Sequence, residues 1–231
     1  MTDDSRGNEY WTPEPLLAGD TVFLLGGGPS LRDFDVQRLR GRRVMAINCS
    51  CAICPWAEFL YFTDTSWFEH RRTLVAAWPG TVITASRVAK AALPEKLKRI
   101  QLVTQPDFTI GEPVLKFGRS SGHTAISVAI AMGAARVILL GYDMQIVGGR
   151  SHHHNEYHTE DIKLFRDDFL VHFQGWGEAA RRIGVEVLNC TPGSALAEFP
   201  MRSIDDVLAE AAHVNHQHPH RHHAGAFAGP G

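Results

Sequence analysis

The sequence predicts an α/β protein whose helices cover both faces of a mostly parallel, doubly wound sheet, giving three α/β/α layers. Short apolar runs such as Val22–Leu25 and Val137–Leu140 show no polar alternation, the pattern of strands buried on both faces. These runs alternate with helical segments along most of the chain, which parallel crossover connections require. Several runs end on polar residues, Asn48, Asp64 and Asp143, at the edge where this architecture holds ligands.

Residues 1–19 are polar and contain proline, and are expected as a flexible lead-in on which Trp11 could dock. Thr21–Leu25 is the first strand. It runs into Gly26, Gly27 and Gly28, whose missing Cβ atoms permit positive φ and close approach of a ligand, and then into Pro29 and Ser30. A short helix is expected from Asp33 to Leu39, with Phe34 and Leu39 inward. Arg43–Asn48 is the second strand, and Ala57–Phe62 the third, ending in Thr63 and Asp64. Ser66 can cap a helix carrying Trp67, Phe68, Leu74 and Trp78, which Pro79 and Gly80 stop. Thr81–Ala85 is a fourth strand, Val88–Leu93 a helical piece and Ile100–Val103 a fifth strand. Residues 104–119 lack periodicity, and a loop of that length inside a domain is usually functional or mobile.

Ser120 or Ser121 caps the next helix, which is apolar nearly all round and ends at Gly133, so it belongs in the middle of the fold. Arg136–Gly141 follows as a central strand leading to Tyr142 and Asp143. Residues 145–160 form a polar, histidine-dense loop. Ile162, Phe165, Phe169, Phe173, Trp176, Ala180 and Ile183 then recur at steps of three and four, predicting one amphipathic helix that Gly175 and Gly177 could bend. Val185–Asn189 is the last strand, Thr191–Ser194 turns the chain, and Ser203 caps a final helix through Ala211. The folded, Rossmann-like domain is thus expected over residues 20–211. Residues 212–231 hold six of the thirteen histidines among small residues, and are expected as a disordered tail.

Composition narrows the partners. With 44% hydrophobic and 21% charged residues the chain reads as a soluble globular protein, and a net charge of −2 gives no broad basic field for nucleic acid. No apolar run approaches the roughly 20 residues of a membrane span, and the first residues lack a signal-peptide layout. A cytoplasmic location is expected. Cys49, Cys51 and Cys54 form C-x-C-x-x-C without a fourth ligand at zinc spacing. Together with Cys190 they read as reduced, buried thiols rather than as a zinc site.

The glycine loop offers amide N–H groups to an anion, expected to be the phosphate of a nucleotide. No Lys-Ser/Thr follows the glycines, and Leu31 stands where the third glycine of a dinucleotide fingerprint would be. A tight turn that holds nothing is the plain alternative. A second donor group is the helix start dressed with Ser120, Ser121, Gly122 and His123. Both starts are expected to point the same way and to grip one anionic ligand.

Three segments, Gly26–Leu31, Ser121–Asp143 and Leu188–Leu196, together resemble the bacterial lipooligosaccharide sialyltransferase superfamily. The chain is most similar in flavour to phage-encoded relatives, through Pro55-Trp56-Ala57, Phe62-Thr63-Asp64 and the histidine-rich loop, and more distantly to the 6-hydroxymethylpterin pyrophosphokinases. The resemblance implies that Gly26–Ser30, Asn48 and Ser120–Gly122 hold the nucleotide of a CMP- or UDP-linked sugar donor, with Ser194 helping to close the site. It implies an inverting transfer with His158 as general base on the acceptor hydroxyl, a role that suits an imidazole near neutral pH. No obligatory metal is implied. Where those relatives place tyrosines to assist the leaving phosphate, this chain has Gln145 and Ser151–His154.

The acceptor would be a glycan or, in host cytoplasm if the chain is phage-encoded, a modified DNA base, with Arg71, Arg72 and Arg87 as a local basic patch. His154 and His158 stand four apart and could share a metal, although a polar lid is the favoured reading. Asp143 and Asp64 could each meet a ribose or a metal, or simply cap a turn. The alternatives are an ATP-dependent pyrophosphokinase, which would need magnesium at Asp64, Asp143 or Glu156, and a non-catalytic phage assembly protein that keeps the nucleotide fold. A homo-oligomer is compatible with either.

Overall fold

The computed structural model describes residues 10–104, 107–108, 110, 114–116, 118–155 and 161–217. Seven parallel strands form the main sheet in the order β5-β4-β3-β2-β1-β8-β9: β1 (Thr21–Leu25), β2 (Arg43–Ile47), β3 (Phe59–Phe62), β4 (Thr81–Thr84), β5 (Leu97–Arg99), β8 (Arg136–Leu140) and β9 (Glu186–Asn189). A separate parallel pair joins β6 (Gln101–Val103) to β7 (Val114–Lys116).

Side-chain alternation along the strands splits the core into two layers. Val22 and Leu24 pair in register with Arg43 and Met45 on one side and Val137 and Leu139 on the other. Leu24, Met45, Val137 and Leu139 share one apolar cluster with Ala125, Val128 and Ala129 of helix α3 (Ser121–Ala131), and with Trp176 and Ala180 of helix α5 (Trp176–Arg182). On the other face Phe62 meets Trp67 and Phe68 of helix α1 (Thr65–Ala77), at centroid distances of 5.0 and 5.7 Å. Both faces being covered, the strands carry no polar alternation. Helix α2 (Arg87–Ala92), capped by Ser86, connects β4 to β5.

Several boundaries differ from expectation for local reasons. Asp64, not Ser66, caps α1, because its carboxylate reaches the Trp67 N–H at 3.0 Å while Ser66 lies inside the first turn. The expected helix over residues 33–39 is replaced by two 3₁₀ turns, Pro29–Arg32 and Val36–Leu39, the second capped by Asp35. The strand expected at Ile100–Val103 forms as β6 but pairs with β7 outside the main sheet, whose edge is the unexpected β5, paired with β4 through Leu97–Arg99.

The single helix expected over residues 162–183 is broken. A wide π-helical segment, Leu164–Phe169, runs into the short helix α4 (Leu170–His172), and Gly175 at φ +79° ends that axis before α5 begins. Residues 10–19, expected as a loose lead-in, pack on the body: Leu17 is fully buried and its N–H donates to Met132 O at 2.9 Å.

Contacts divide the chain into two units, Met1–Met201 and Arg202–Gly231. In the second, helix α6 (Ile204–Gln217) starts at Ser203, whose hydroxyl accepts from the Asp205 N–H at 3.2 Å, and continues past the expected end at Ala211. Among the described residues no helix is long and apolar enough to cross a membrane.

Leu24 sits fully buried on the central strand between β2 and β8. Leu24→Ala is expected to lower the unfolding free energy by about 2–5 kcal/mol in urea titrations, since neighbouring strands cannot collapse into the void.

Candidate functional site

Strand order reverses between β1 and β8, so the loops leaving their carboxyl ends diverge and open a crevice. Counting its open mouth, the crevice measures about 690 Å³. Its walls come from Gly26–Gly28 after β1, Asn48 and Cys49 after β2, Ser120–Gly122 at the start of α3, and Gly141–Met144 after β8. Ser151, His152, His154, Phe165 and Phe169 complete them.

The glycine loop is shaped by its neighbour. None of Gly26, Gly27 and Gly28 has positive φ, contrary to the expected reason for their presence. They are needed for space: a Cβ on Gly26 would stand 2.6 Å from Gly141 O, and one on Gly28 only 1.8 Å from an Asp143 carboxylate oxygen. The Gly28 N–H donates to Gly141 O at 2.8 Å. The Asp143 carboxylate accepts from the Ser30 N–H at 3.0 Å and from its hydroxyl at 2.8 Å. The expected amide-rich helix start after Gly28 is therefore corrected to a four-residue 3₁₀ turn whose Ser30 amide is already spent on Asp143. Pro29 and Ser30 lie outside the crevice lining. Burial raises the Asp143 carboxyl above its ordinary value, and the two Ser30 hydrogen bonds partly offset that.

Helix α3 supplies the second wall. Ser120 caps it by accepting from the His123 N–H at 3.3 Å. The Ser121 and Gly122 amides, first-turn donors without intrahelical acceptors, belong to residues that line the crevice. Three side-chain bonds hold this helix start to the strand ends: Ser121 Oγ to Thr63 Oγ1 at 2.7 Å, Tyr61 OH to Thr124 Oγ1 at 2.7 Å, and Tyr142 OH to Gly122 O at 3.0 Å. Burial pushes both phenols well above their ordinary pKa, so they stay protonated.

His123, expected among the ligand-binding groups, lies behind this wall, fully buried and outside the crevice lining. Its Nδ1 pairs with Ser120 Oγ at 2.8 Å, its Nε2 with Phe169 O at 3.0 Å, and its ring stacks on Phe173 at 3.6 Å. Facing a carbonyl, Nε2 carries the proton and Nδ1 accepts from the hydroxyl. Burial drives its pKa down to about 3, so the ring is neutral near pH 7.

Asn48 follows β2 as the first residue of a 3₁₀ turn, in a left-handed backbone conformation of φ +50°, and lines the crevice. Its Oδ1 is buried and has no hydrogen-bond partner among the described residues. Asp64 is exposed and spent on capping α1, away from the lining. Ser194 also lies outside it: its hydroxyl donates to Tyr142 O at 2.6 Å and accepts from the Leu196 N–H at 3.0 Å. His158 lies outside the described residues, as does Glu156.

The histidine loop folds onto the glycines. Gly148 and Gly149, at φ +56° and +72°, turn a small hairpin bridged between Val147 and Arg150, a signal present in the Gly-Gly pair of the sequence. The chain then returns so that the His153 N–H donates to Gly27 O at 2.9 Å. All four cysteines are buried thiols outside any disulfide; Cys49 accepts the Trp67 indole N–H at 3.2 Å, and burial pushes the Cys54 thiol up to about 12. Among the described residues no cluster of three His, Cys, Asp or Glu side chains could hold a metal ion. Cys49, Met144, Phe165 and Phe169 line the crevice without having been expected there. The two phenylalanines carry only the periodicity of a core helix, and no signal in the sequence separates that from a pocket wall.

No protein-family model matches the chain, and no curated protein matches it. A solved structure of similar outline is the X-ray structure of a point mutant of the alpha-2,3/8-sialyltransferase CstII. The two share 13% identity over 80% of this chain and 87% of that one, with a TM-score of 0.44. That likeness is one of fold, and no statement about chemistry rests on it.

Gly28→Ala is expected to cost about 1–3 kcal/mol in denaturant titrations, because the new methyl must displace the Asp143 carboxylate and break the Ser30 contacts. His123 gives a pH signature. An unfolded chain binds a proton at this ring near pH 6.5, while the folded chain refuses it down to about 3. Stability is therefore lost on acidification through that window, on the order of 1.4 kcal/mol per pH unit. His123→Gln, which keeps a donor and an acceptor, should flatten the urea midpoint between pH 6.5 and 4; an unchanged slope would assign the loss to other groups.

Proposed function

We propose that the chain is a nucleotide-sugar-dependent glycosyltransferase whose crevice holds a CMP- or UDP-linked donor. The observation that carries this reading is the buried, partnerless Asn48 Oδ1 in the same crevice as the first-turn amides of α3. A buried acceptor without a donor costs about 1–3 kcal/mol unless a ligand satisfies it. A nucleotide has both halves of the complement: amine or hydroxyl donors for Asn48, and phosphate oxygens for the amides.

The sequence resemblance supplies the rest. His158 acts as general base on the acceptor hydroxyl of a glycan or modified DNA base, and transfer is inverting. The Tyr61 and Tyr142 hydroxyls are committed to Thr124 and Gly122. Help for the leaving phosphate thus falls to His152 and His154, which line the crevice. The pyrophosphokinase alternative is less favoured, because Asp64 is occupied with capping α1 and both oxygens of Asp143 are taken by Ser30.

Calorimetry against cytidine and uridine nucleotides is expected to show binding, and Asn48→Ala to weaken it about tenfold. His158→Ala should lower turnover by about 10²–10⁴ while nucleotide binding stays unchanged. No binding of any nucleotide at millimolar concentration would defeat the reading.

A further inference from the structure

We propose that Phe169, backed by Phe165, is the platform on which the nucleobase of the bound nucleotide stacks. The proposal rests on the nucleotide reading above and goes beyond it by naming what recognises the base.

Both residues line the crevice that also holds Asn48 and the first residues of α3. The π-helical segment brings them there: its wide turn, closed by the Leu170 N–H on Phe165 O, sets residues four apart on one wall. Phe165 is 7% exposed and serves as backing, while Phe169 is only half-buried. The ring neighbours of Phe169 stand edge-on to it: Phe165 at 5.8 Å and 82°, and His123 at 6.2 Å and 73°. Among the described residues neither of these ring neighbours lies parallel to the Phe169 ring, and neither stacks on its face.

The ring is also held in position. His123 Nε2 ties the Phe169 carbonyl to the start of α3, and Arg119 grips the adjacent Asp168 through two bonds of 2.9 and 3.1 Å. A phosphate alone gains little from an aromatic wall beside amide donors, and CDP and UDP carry no transferable sugar that could pack there instead of the base. A planar heterocycle joined to a phosphate uses both, and base–aromatic stacking is tolerant of which base is present.

Calorimetry with CDP and UDP on the full chain and on Phe169→Leu and Phe169→Tyr tests this. Leucine keeps the apolar volume and loses the ring; tyrosine keeps the ring. Phe169→Leu is expected to weaken nucleotide binding at least tenfold, and Phe169→Tyr to stay within about threefold of the parent. Should the leucine variant not fold, Phe169→Met repeats the measurement with a longer apolar side chain. Equal affinity of the parent and a folded leucine or methionine variant overturns the stacking proposal and leaves the nucleotide reading standing. Equal weakening by leucine and tyrosine also overturns it, since the ring would then not be what matters. A parent chain that binds neither nucleotide ends both.

Discussion

The clasp between Asp143 and Ser30, with glycines packed beneath it, is the constraint on which the ligand end of the sheet depends. β1 and β8 are neighbours, and their outgoing loops must diverge without parting. The chain resolves this by running Gly26–Gly28 directly against Gly141, so closely that a methyl on Gly26 or Gly28 would collide with a backbone oxygen or a carboxylate. Asp143 then closes the contact with two hydrogen bonds to one serine. Such a carboxylate is costly to bury, and the Ser30 bonds recover part of that cost.

This clasp reassigns the work within the crevice. The loop after β1 spends the Gly28 and Ser30 amides on β8 and its loop. The available helix-start donors belong to α3, which Thr63, Tyr61 and Tyr142 fasten to the strand ends. His123, neutral and fully paired, joins that helix to the aromatic segment across Phe169 O. Among the described crevice residues, Asn48 Oδ1 is the buried side-chain oxygen left without a hydrogen-bond partner.

Much of the fold was legible because its signals are local. Uniformly apolar runs marked the central strands, and Ser120 and Gly133 bracketed α3 as capping chemistry requires. Failures occurred where neighbouring signals compete. Asp64 and Ser66 are both competent caps two residues apart, and only backbone geometry chooses between them. A three-and-four repeat from Ile162 to Ile183 reads as one helix, yet a left-handed Gly175 and a π-helical turn divide it. β5 escaped notice because Leu97-Lys98-Arg99 holds one apolar residue followed by two basic ones, without the apolar continuity of the central strands.

The sequence by itself determined the layered α/β architecture, the edge at which polar residues collect, and the presence of a glycine loop and a serine-capped helix there, since period and capping are properties of a few neighbouring residues. Only the tertiary structure decided why the glycines are glycine, that His123 is a buried strut and Phe169 a crevice wall, and that Asp143 is bound to Ser30. Those outcomes are set by contacts between residues far apart in sequence, 113 positions in the case of Ser30 and Asp143. No local pattern encodes which of two equally apolar or equally polar side chains will find its partner already taken.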